Sequence, residues 1–482
     1  MSTRQHEHTR QHEHFFGRRT FLKGFAAVGA VALGGGGCIG PAAPRSAGGG
    51  RRWYKGVLHA HSFWSDGHAF PEECVDWYRS RGYNFFGLSD HNRFQDDPDF
   101  WRKVVKESKG WPPAPTEKDF EIYRERFTPE TRTAADGSTE VRLKTYAELA
   151  EMFDDPGQFL LVPAVEASSG MGYSDGRCHK LHMNFINLPK QIPLWEKGNP
   201  AKDRKDVPLA AFLEEHRAST QELADLMGRP YLFVLNHPIW QWYDIGPEVL
   251  IDAPKVRFFE LCNGGGSFGP AKELPGDGFD TDRLWDVVNA FRCRRGQPLL
   301  YGIGTDDTHA YHGEGWNMCI PGNAWSLVRA ERLDAASLIE AMNRGDFATC
   351  EGLEPEDIAF DAKTGTLTVS AEGNAEAPLT IRFIVSKADF REEPVATLTV
   401  RPDKEKKETP NAHLRTIRVY DEKIGLTAKT VTGRAGERLV ASYTMAADDL
   451  YVRARIESPT EQGLATAPLH PKMRCAWTQP YV

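Results

Sequence analysis

The sequence is short of three features, and each shortage excludes a class of protein. Its eight cysteines are scattered and form no CxxC pair, which excludes a zinc ribbon or a CxxC redox centre. No apolar run approaches the ~20 residues that a membrane-spanning helix needs. Positive charge is also scarce: residues 1–52 carry eight Lys or Arg and two acids, so the remaining residues have a net charge of −14 within the total of −8. An acidic remainder argues against binding nucleic acid through a basic face.

Residues 1–52 differ from the rest of the chain and are predicted to be a twin-arginine export signal with a spacer. The run GRRTFLKG at residues 17–24 precedes an apolar run at residues 25–33. Paired Arg followed by Phe, Leu and Lys is the pattern that the twin-arginine export machinery recognises. We therefore expect export across the cytoplasmic membrane, to the periplasm or to a membrane-anchored state. Cys38 is a candidate lipid-anchor residue, and the anchored and released forms both stay open.

From residue 53 to about residue 350, short apolar runs alternate with amphipathic stretches in the rhythm of β/α units. The helix-like stretches include residues 71–83, 209–228 and 280–296. Seven strands, each followed by a helix or loop, predict an α/β barrel of parallel strands. A charged, Pro-containing segment near residues 94–160 interrupts this rhythm. We interpret it as an insertion that forms either a lid over the barrel mouth or a surface excursion.

After residue 352 the pattern changes to strands and turns without a long helix. Runs such as TGTLTVSAEG, LTIRFIVSK and LYVRARIES predict a small antiparallel β-sandwich. The expected domains are therefore the export signal with its spacer at 1–52, the barrel at 53–352 and the accessory sandwich at 353–482. No residue pattern in the sandwich indicates a site, and support of the barrel is its simplest role.

Nearly every apolar run of the predicted barrel ends in an acid or a histidine, at the edge where α/β barrels build their sites. His59 and His61 alternate along a strand end, so both imidazoles face one side and can chelate one cation. Glu166 lies inside an apolar run, where an unpaired carboxylate is costly to bury, so a cation or an Arg must compensate it and we favour the cation. The candidate ligands are His59, His61, Asp66, His91, Glu166, His182, His237, Asp307 and His309. Nine N and O ligands exceed the needs of one four-coordinate zinc, which predicts two or three divalent ions of Zn, Mn or Fe.

These motifs resemble those of the polymerase and histidinol phosphatase (PHP) family of metal-dependent hydrolases. HAHSFWSDG, LSDHN, VEAS, NHP and GTDDTH carry the resemblance over roughly residues 53–310. FELCNG, RGDFATCEG and AWTQPYV further resemble its exported, carbamate-hydrolase-like branch, which appends a β domain. The resemblance implies an α/β fold with a distorted seven-stranded (β/α) barrel that holds up to three metals on the nine residues named above.

Two of the ligand assignments have alternatives in the sequence. The last motif of the family usually has a single Asp, one residue and then His, whereas this chain has Asp306 and Asp307 together; the spacing to His309 favours Asp307. CHKLHMN offers both His179 and His182. We favour His182 because it falls on the apolar run, where a strand would direct it inward.

The residues and the resemblance together predict a phosphoesterase in which a metal-bridging hydroxide attacks a small phosphate ester. His91 or His309 would assist the departing alkoxide. Arg93 follows the SDHN motif and is a candidate for binding a phosphate oxygen, with an exposed surface Arg as the alternative.

Two other functions stay open at this point. The same metals would serve hydrolysis of a carboxyl ester or a carbamate, and Trp240, Trp242 and Tyr243 after NHP would then form an aromatic rim, unless they only pack. The third function is a non-catalytic binding protein of the envelope with a vestigial metal site. The complete ligand set argues against that function. The natural substrate, the oligomeric state and the identity of the metals do not follow from the sequence.

Overall fold

The structure, a computed structural model, describes residues 45–46, 50–172, 178–190, 208–239, 245–264, 280–312, 319–373, 375–400, 415–459 and 473–482. All of them belong to one structural unit, Ile39–Val482. The predicted export signal with Cys38 lies outside the described residues, as does the aromatic group of Trp240, Trp242 and Tyr243. Within the described ranges we find no helix with the length and apolarity required to cross a bilayer.

The helices begin and end where their capping residues require. They are α1 (Pro71–Ser80), α2 (Glu117–Arg126), α3 (Tyr146–Phe153), α4 (Leu209–Met227), α5 (Pro247–Ile251), α6 (Thr281–Arg294) and α7 (Ala335–Asn343). The side chain of Asp280 accepts a hydrogen bond from Arg283 N at 2.7 Å and so caps α6. Gly228 ends α4 in the left-handed conformation, with φ 63°. The three helix-like stretches of the sequence therefore form α1, α4 and α6.

A mixed sheet of fourteen strands organises the fold. Its strands up to the predicted boundary are β1 (Arg45–Ser46), β2 (Arg52–Val57), β3 (Phe85–Leu88), β7 (Leu160–Gly172), β8 (Cys178–Ile186), β9 (Leu232–Leu235), β10 (Phe258–Asn263), β11 (Tyr301–Thr305), β12 (Trp325–Ala330) and β13 (Phe347–Glu351); the insertion contributes β4 (Trp101–Lys103), β5 (Thr131–Thr133) and β6 (Thr139–Arg142). The seven predicted barrel strands lie in the order β2, β3, β7, β8, β9, β10, β11.

The direction of one strand corrects the prediction of a wholly parallel barrel. β2, β3 and β7 are parallel neighbours, as are β9, β10 and β11, but β8 runs antiparallel to both β7 and β9. A parallel bridge between Ala60 and Thr308 joins the segments that follow β2 and β11. Beyond β2 the sheet continues into β12 and β13. The α/β class is confirmed, whereas the prediction that all seven strands are parallel is wrong.

The C-terminal strands extend this sheet. They are β14 (Asp357–Asp361), β15 (Thr366–Ala371), β16 (Thr380–Lys387), β17 (Ala396–Val400), β18 (Arg415–Val419), β19 (Leu426–Thr432), β20 (Leu439–Thr444), β21 (Asp449–Pro459) and β22 (Met473–Thr478). β13 pairs with β22, which is followed in the sheet by β21, β16 and β19. A second antiparallel sheet, β14–β15–β20, shares a hydrophobic cluster with β16 and β21 through residues such as Leu367, Phe383 and Val452. Strands on both sides of residue 352 thus belong to one sheet, and the division into domains at that point remains a prediction.

The insertion is a folded layer next to the segment that follows β2. Its antiparallel sheet β4–β6–β5 and helix α2 share a hydrophobic cluster with Phe63, Trp64 and Phe70. Trp64 Nε1 also donates to Lys144 O at 2.9 Å. The insertion therefore covers the chain immediately beyond His61.

Candidate metal centre

The nine predicted ligands converge at one edge of the main sheet. Six of them follow strands: His59 and His61 follow β2, His91 follows β3, His237 follows β9, and Asp307 and His309 follow β11. Glu166 lies within β7 and His182 within β8. None of the nine side chains is more than 15% exposed. Eight of them form three overlapping groups that could each hold an ion, and His237 belongs to none of the three. The groups are His59, His61, Glu166 and Asp307; His61, Asp66, His91 and His309; and His91, Glu166 and His182.

Uncommon backbone conformations accompany this convergence. His237 and Asp307 have positive φ angles of 24° and 50°, a region that only a few per cent of non-glycine residues adopt. Gly67 is required by a close approach, because a Cβ at this position would lie 2.5 Å from backbone atoms of His61 and Ser62. Strain of this kind persists where the surrounding structure holds a functional side chain in place.

The first group has the dimensions of a tetrahedral metal site. His59 Nε2 lies 3.2 Å from His61 Nε2, from Glu166 Oε2 and from Asp307 Oδ1. His61 Nε2 lies 3.2 Å from Glu166 Oε2 and 3.1 Å from Asp307 Oδ1. A regular tetrahedron with such edges has its centre about 2.0 Å from each corner, which is the length of Zn–N and Zn–O bonds. The four atoms therefore fit one small divalent ion.

The other two groups share residues with the first and lie around it. His309 Nε2 is 3.4 Å from Asp66 Oδ1, and His91 Nε2 is 3.6 Å from Asp66 Oδ2. On the opposite side of its ring, His91 Nδ1 is 3.0 Å from Glu166 Oε2, while His182 Nδ1 is 2.9 Å from Glu166 Oε1. His237 Nε2 lies farther away, 3.7 Å from Glu166 Oε1. Glu166 thus contacts five histidines, which come from β2, β3, β8 and β9.

The buried negative charge of Glu166 has to be balanced by positive charge from its surroundings. Glu166 is fully buried, and among the described residues its Oε2 has no hydrogen-bond partner and its ion-pair partners are all imidazoles. Burial raises the pKa of Glu166, but the rings of His91 and His59 outweigh it and hold that pKa well below the usual value. Burial lowers the pKa of His59, yet Asp307 and Glu166 raise it well above its usual range. A divalent ion would supply the positive charge that these rings otherwise take up as protons, so metal and protons compete here.

Glu260 is a functional candidate that our interpretation of the sequence missed. Its Oε1 lies 2.5 Å from His59 Nδ1 and accepts from Thr305 Oγ1 at 2.8 Å. Its Oε2 accepts from His237 N and Asn263 Nδ2, both at 2.8 Å. A carboxylate behind a ligating imidazole fixes the ring and its tautomer. The signal was present, because FELCN is one of the apolar runs that end in polar residues, but we gave the acid no role.

Asp90 orients the loop that follows His61. It accepts hydrogen bonds from Ser62 N and Oγ, each at 2.9 Å, from Ser65 Oγ at 2.7 Å and from Gln95 Nε2 at 2.9 Å. These bonds fix the segment that carries Asp66.

The two adjacent aspartates face different surroundings. Asp307 lies in the first metal group, whereas Asp306 accepts from Tyr78 OH at 2.7 Å and from the backbone N of residues 322–324 at 2.7–2.8 Å. Burial raises the pKa of Asp306 to about 6. The geometry thus assigns Asp306 to loop anchoring and puts Asp307 among the ligands. His182 also lies in the cluster, while the side chain of His179 lies outside the described part of the structure.

Arg93 is not part of this cluster. Its side chain is exposed, and its guanidinium lies 4.2 Å from the centre of the Phe100 ring. The structure therefore gives it a stacking contact on the insertion, and the expected phosphate contact stays a prediction.

Comparisons with known proteins give weak similarity only. No family model matches the chain, and no curated relative matches it. Among solved structures, a two-domain protein from Bacteroides vulgatus containing a predicted PHP-like metal-dependent phosphoesterase aligns with 14% identity and a TM-score of 0.36, covering 91% of this chain and 98% of that one. An amidohydrolase from Chromobacterium violaceum with bound sulfate aligns with 14% identity and a TM-score of 0.25, covering 53% of this chain and 88% of its own. A protein from Bifidobacterium adolescentis assigned as a metal-dependent phosphoesterase has 12% identity and a TM-score of 0.25, covering 60% and 96%. The function of this chain therefore has to follow from the geometry of its own site.

Proposed function

We propose that this chain is a metal-dependent hydrolase that acts on phosphate esters. The observation that carries the proposal is the buried cluster of six imidazoles and three carboxylates, in which five of the six edges of the first group are 3.1–3.2 Å and the sixth, between Glu166 and Asp307, is within 4.8 Å. Zn, Mn or Fe suits such mixed N and O ligands. When bound, two or three such ions acidify a shared water and neutralise charge that develops on a phosphoryl oxygen.

The chain's own residues divide into binding and proton-transfer roles. His59, His61, Glu166 and Asp307 are the most enclosed group and would hold the central ion. His91 and His309 lie at the rim, with 12% and 15% of their side chains exposed against 0% for His59. A substrate reaches these two first, so they are the candidates for giving a proton to the departing alkoxide.

The backbone orients His309 for this role. Its Nδ1 lies 2.9 Å from Asp307 O, a carbonyl that can only accept, so Nδ1 carries a proton, and Nε2, which faces Asp66, is the atom that would hold a second proton and give it to the alkoxide. The ring orientation is thus set before any substrate binds.

The first test is a substrate panel on protein reconstituted with Zn, Mn or Fe. We expect about two or more bound ions per chain and hydrolysis of phosphate mono- or diesters. Turnover of aryl esters or carbamates alone would replace the phosphoesterase with the carboxyl-type hydrolase. A chain without bound metal or turnover would favour the non-catalytic binding protein.

The adjacent aspartates provide a matched pair for the same assay. We expect Asp307→Asn to lose bound metal and turnover, because it removes charge from the first group. Asp306→Asn removes the same charge one residue away, from hydrogen bonds to Tyr78 and the loop at residues 322–324, and should retain metal. Equal metal loss in both variants would contradict the ligand assignment.

The proposal also includes export of the chain across the cytoplasmic membrane. Export is inferred from the twin-arginine pattern at residues 17–24 and is tested by fusing residues 1–52 to a reporter. Replacing Arg18 and Arg19 by Lys should stop translocation, and a Cys38→Ala fusion should separate anchored from released forms.

A further inference from the structure

A cavity of about 340 Å³ adjoins the metal centre and is shared between the centre and the insertion. Asp66 and His309 of the second metal group line one part of it. Ser108, Trp111 and Pro113, from the insertion, line another. This volume suits one small molecule and no polymer.

Trp111 combines an anchored polar atom with an uncovered ring. Its Nε1 donates to Asp66 Oδ2 at 3.1 Å, although 70% of the side chain is exposed. Large aromatic rings are ordinarily covered, because they bury more apolar surface than other side chains. An indole fixed at its polar edge and open on its faces offers a stacking surface beside the metal centre.

Hydrogen bonds before and after Trp111 fix the loop that carries it. Ala114 N donates to Ser108 Oγ at 2.9 Å, and Val105 N donates to Pro115 O at 2.9 Å. The guanidinium of Arg102 donates to Pro113 O and, at 2.6 Å, to Phe63 O, two residues beyond His61. Trp111 is therefore held in position before a ligand arrives, which lowers the entropic cost of binding.

We propose that this cavity binds the leaving group of the substrate and that Trp111 selects leaving groups that carry a flat ring. The inference rests on the proposed function, since it assigns the cavity to the substrate of that site. In the reaction the oxygen of water bonds to phosphorus, the bond from phosphorus to the ester oxygen breaks, and the ring-bearing alcohol leaves with a proton. His309 lines the cavity as well as the metal centre, so it lies where that proton is needed.

The test measures binding and turnover separately on metal-reconstituted, full-length protein. Calorimetry compares benzylphosphonate with ethylphosphonate, which lack a hydrolysable ester bond, and kinetics compares benzyl phosphate with ethyl phosphate. We expect the wild-type protein to prefer the benzyl ligand. Trp111→Ala should reduce this preference about tenfold, which is the contribution of one aromatic stacking contact.

Two further variants define what Trp111 does. Trp111→Phe keeps a ring but loses the N–H bond to Asp66, and it should retain most of the benzyl preference. Lys109→Ala, at an exposed position two residues away, should behave like the wild-type protein. Equal binding of the two phosphonates, an unchanged preference in Trp111→Ala, or loss in Trp111→Phe as large as in Trp111→Ala would each overturn the inference. A Trp111-dependent preference without ester hydrolysis would instead support the ring site and contradict the phosphoesterase.

Discussion

Among the described residues, two buried clusters of charge are neutralised in different ways. The first is the candidate metal centre. The second lies where α6 packs against β21: Arg453 Nη2 is 2.7 Å from Asp286 Oδ2, and Arg453 Nη1 is 3.0 Å from Asp282 Oδ1. Arg455 Nη1 adds a contact of 2.9 Å to Asp282 Oδ2. Both clusters are buried, but only the second contains guanidinium groups.

The difference between them lies in whether the positive charge can be exchanged. A guanidinium stays protonated in proteins, so the second cluster is neutralised by the chain itself. Burial raises the pKa of Asp282, but Arg453 and Arg455 lower it to about 2. An imidazole can release its proton and offer a lone pair to a metal. The first cluster is therefore suited to an external cation and the second to holding α6 on the sheet.

The largest expected effect tests the first half of this comparison. Glu166→Gln should remove at least one bound ion per chain and lower kcat by roughly 10³-fold or more, because metal catalysis contributes several kcal/mol. Metal analysis by mass spectrometry and turnover measure it. Glu351→Gln, another fully buried carboxyl of the same sheet, is the matched control and should keep both. Retained metal in Glu166→Gln would remove the distinction between the clusters.

The second prediction concerns the ion-pair cluster. Arg453→Met should lower the free energy of unfolding by about 3–5 kcal/mol, since it leaves Asp286 buried without its counter-charge and leaves Asp282 with Arg455 alone. Denaturant unfolding measures this loss, and the fraction that remains folded should bind metal normally. Arg434→Met, at an exposed position, should leave the midpoint unchanged. A large loss of metal in Arg453→Met would mean that the two clusters are coupled.

A third variant sharpens the comparison within the metal centre. Glu260→Gln keeps the nine ligands but weakens the support of His59, so metal affinity should fall about 10- to 100-fold. Competition with a chromogenic chelator measures this, with Glu351→Gln again as the control. If Glu260→Gln abolished binding as fully as Glu166→Gln, Glu260 would have to be counted among the ligands.

The last prediction concerns Glu351, which lies in neither cluster. Neither of its oxygens has a hydrogen-bond partner among the described residues, and burial, with a contribution from Asp282, raises its pKa to about 8. The folded chain keeps this proton from pH 4.5 to 8 while the unfolded chain releases it, so folding stability falls as pH rises. The slope is about 1.4 kcal/mol per pH unit over this range. Unfolding curves of Glu351→Gln should lack this component, and identical slopes in both proteins would contradict the raised pKa.

The sequence predicted most of the residues that the structure brings together in the candidate metal centre, because strand ends carry a simple signal. His59, Glu166, His237 and Asp307 each follow or interrupt an apolar run, and the parallel strands bring those positions to one edge of the sheet. Glu260 carried the same signal but was not assigned a role, since a pattern does not distinguish a ligand from the residue that orients one. The contacts of Arg93 and Trp111 depend on how the insertion folds, which local patterns do not encode.

The fold was predicted less completely, for two physical reasons. Alternation along a strand is the same in both directions, so the pattern of β8 could not reveal that it runs antiparallel. The strands after residue 352 look like a separate sandwich because no long helix interrupts them, yet β22 pairs with β13 and extends the main sheet. Which edges meet is decided by packing over long sequence separations.

The end of the chain also reaches the strand that leads into the metal centre. The side chain of Gln479 bonds Gly302 N at 3.0 Å and Gly302 O at 2.9 Å, and so ties the last residues to β11. A ribosome that has synthesised every ligand must still add about 170 residues before this bond can form. Folding around β11 thus finishes only after synthesis of the C-terminal strand. Contacts between residues so far apart in the sequence slow folding. Nascent chains stalled before residue 473 should accordingly remain more sensitive to protease at β11 than chains released at full length.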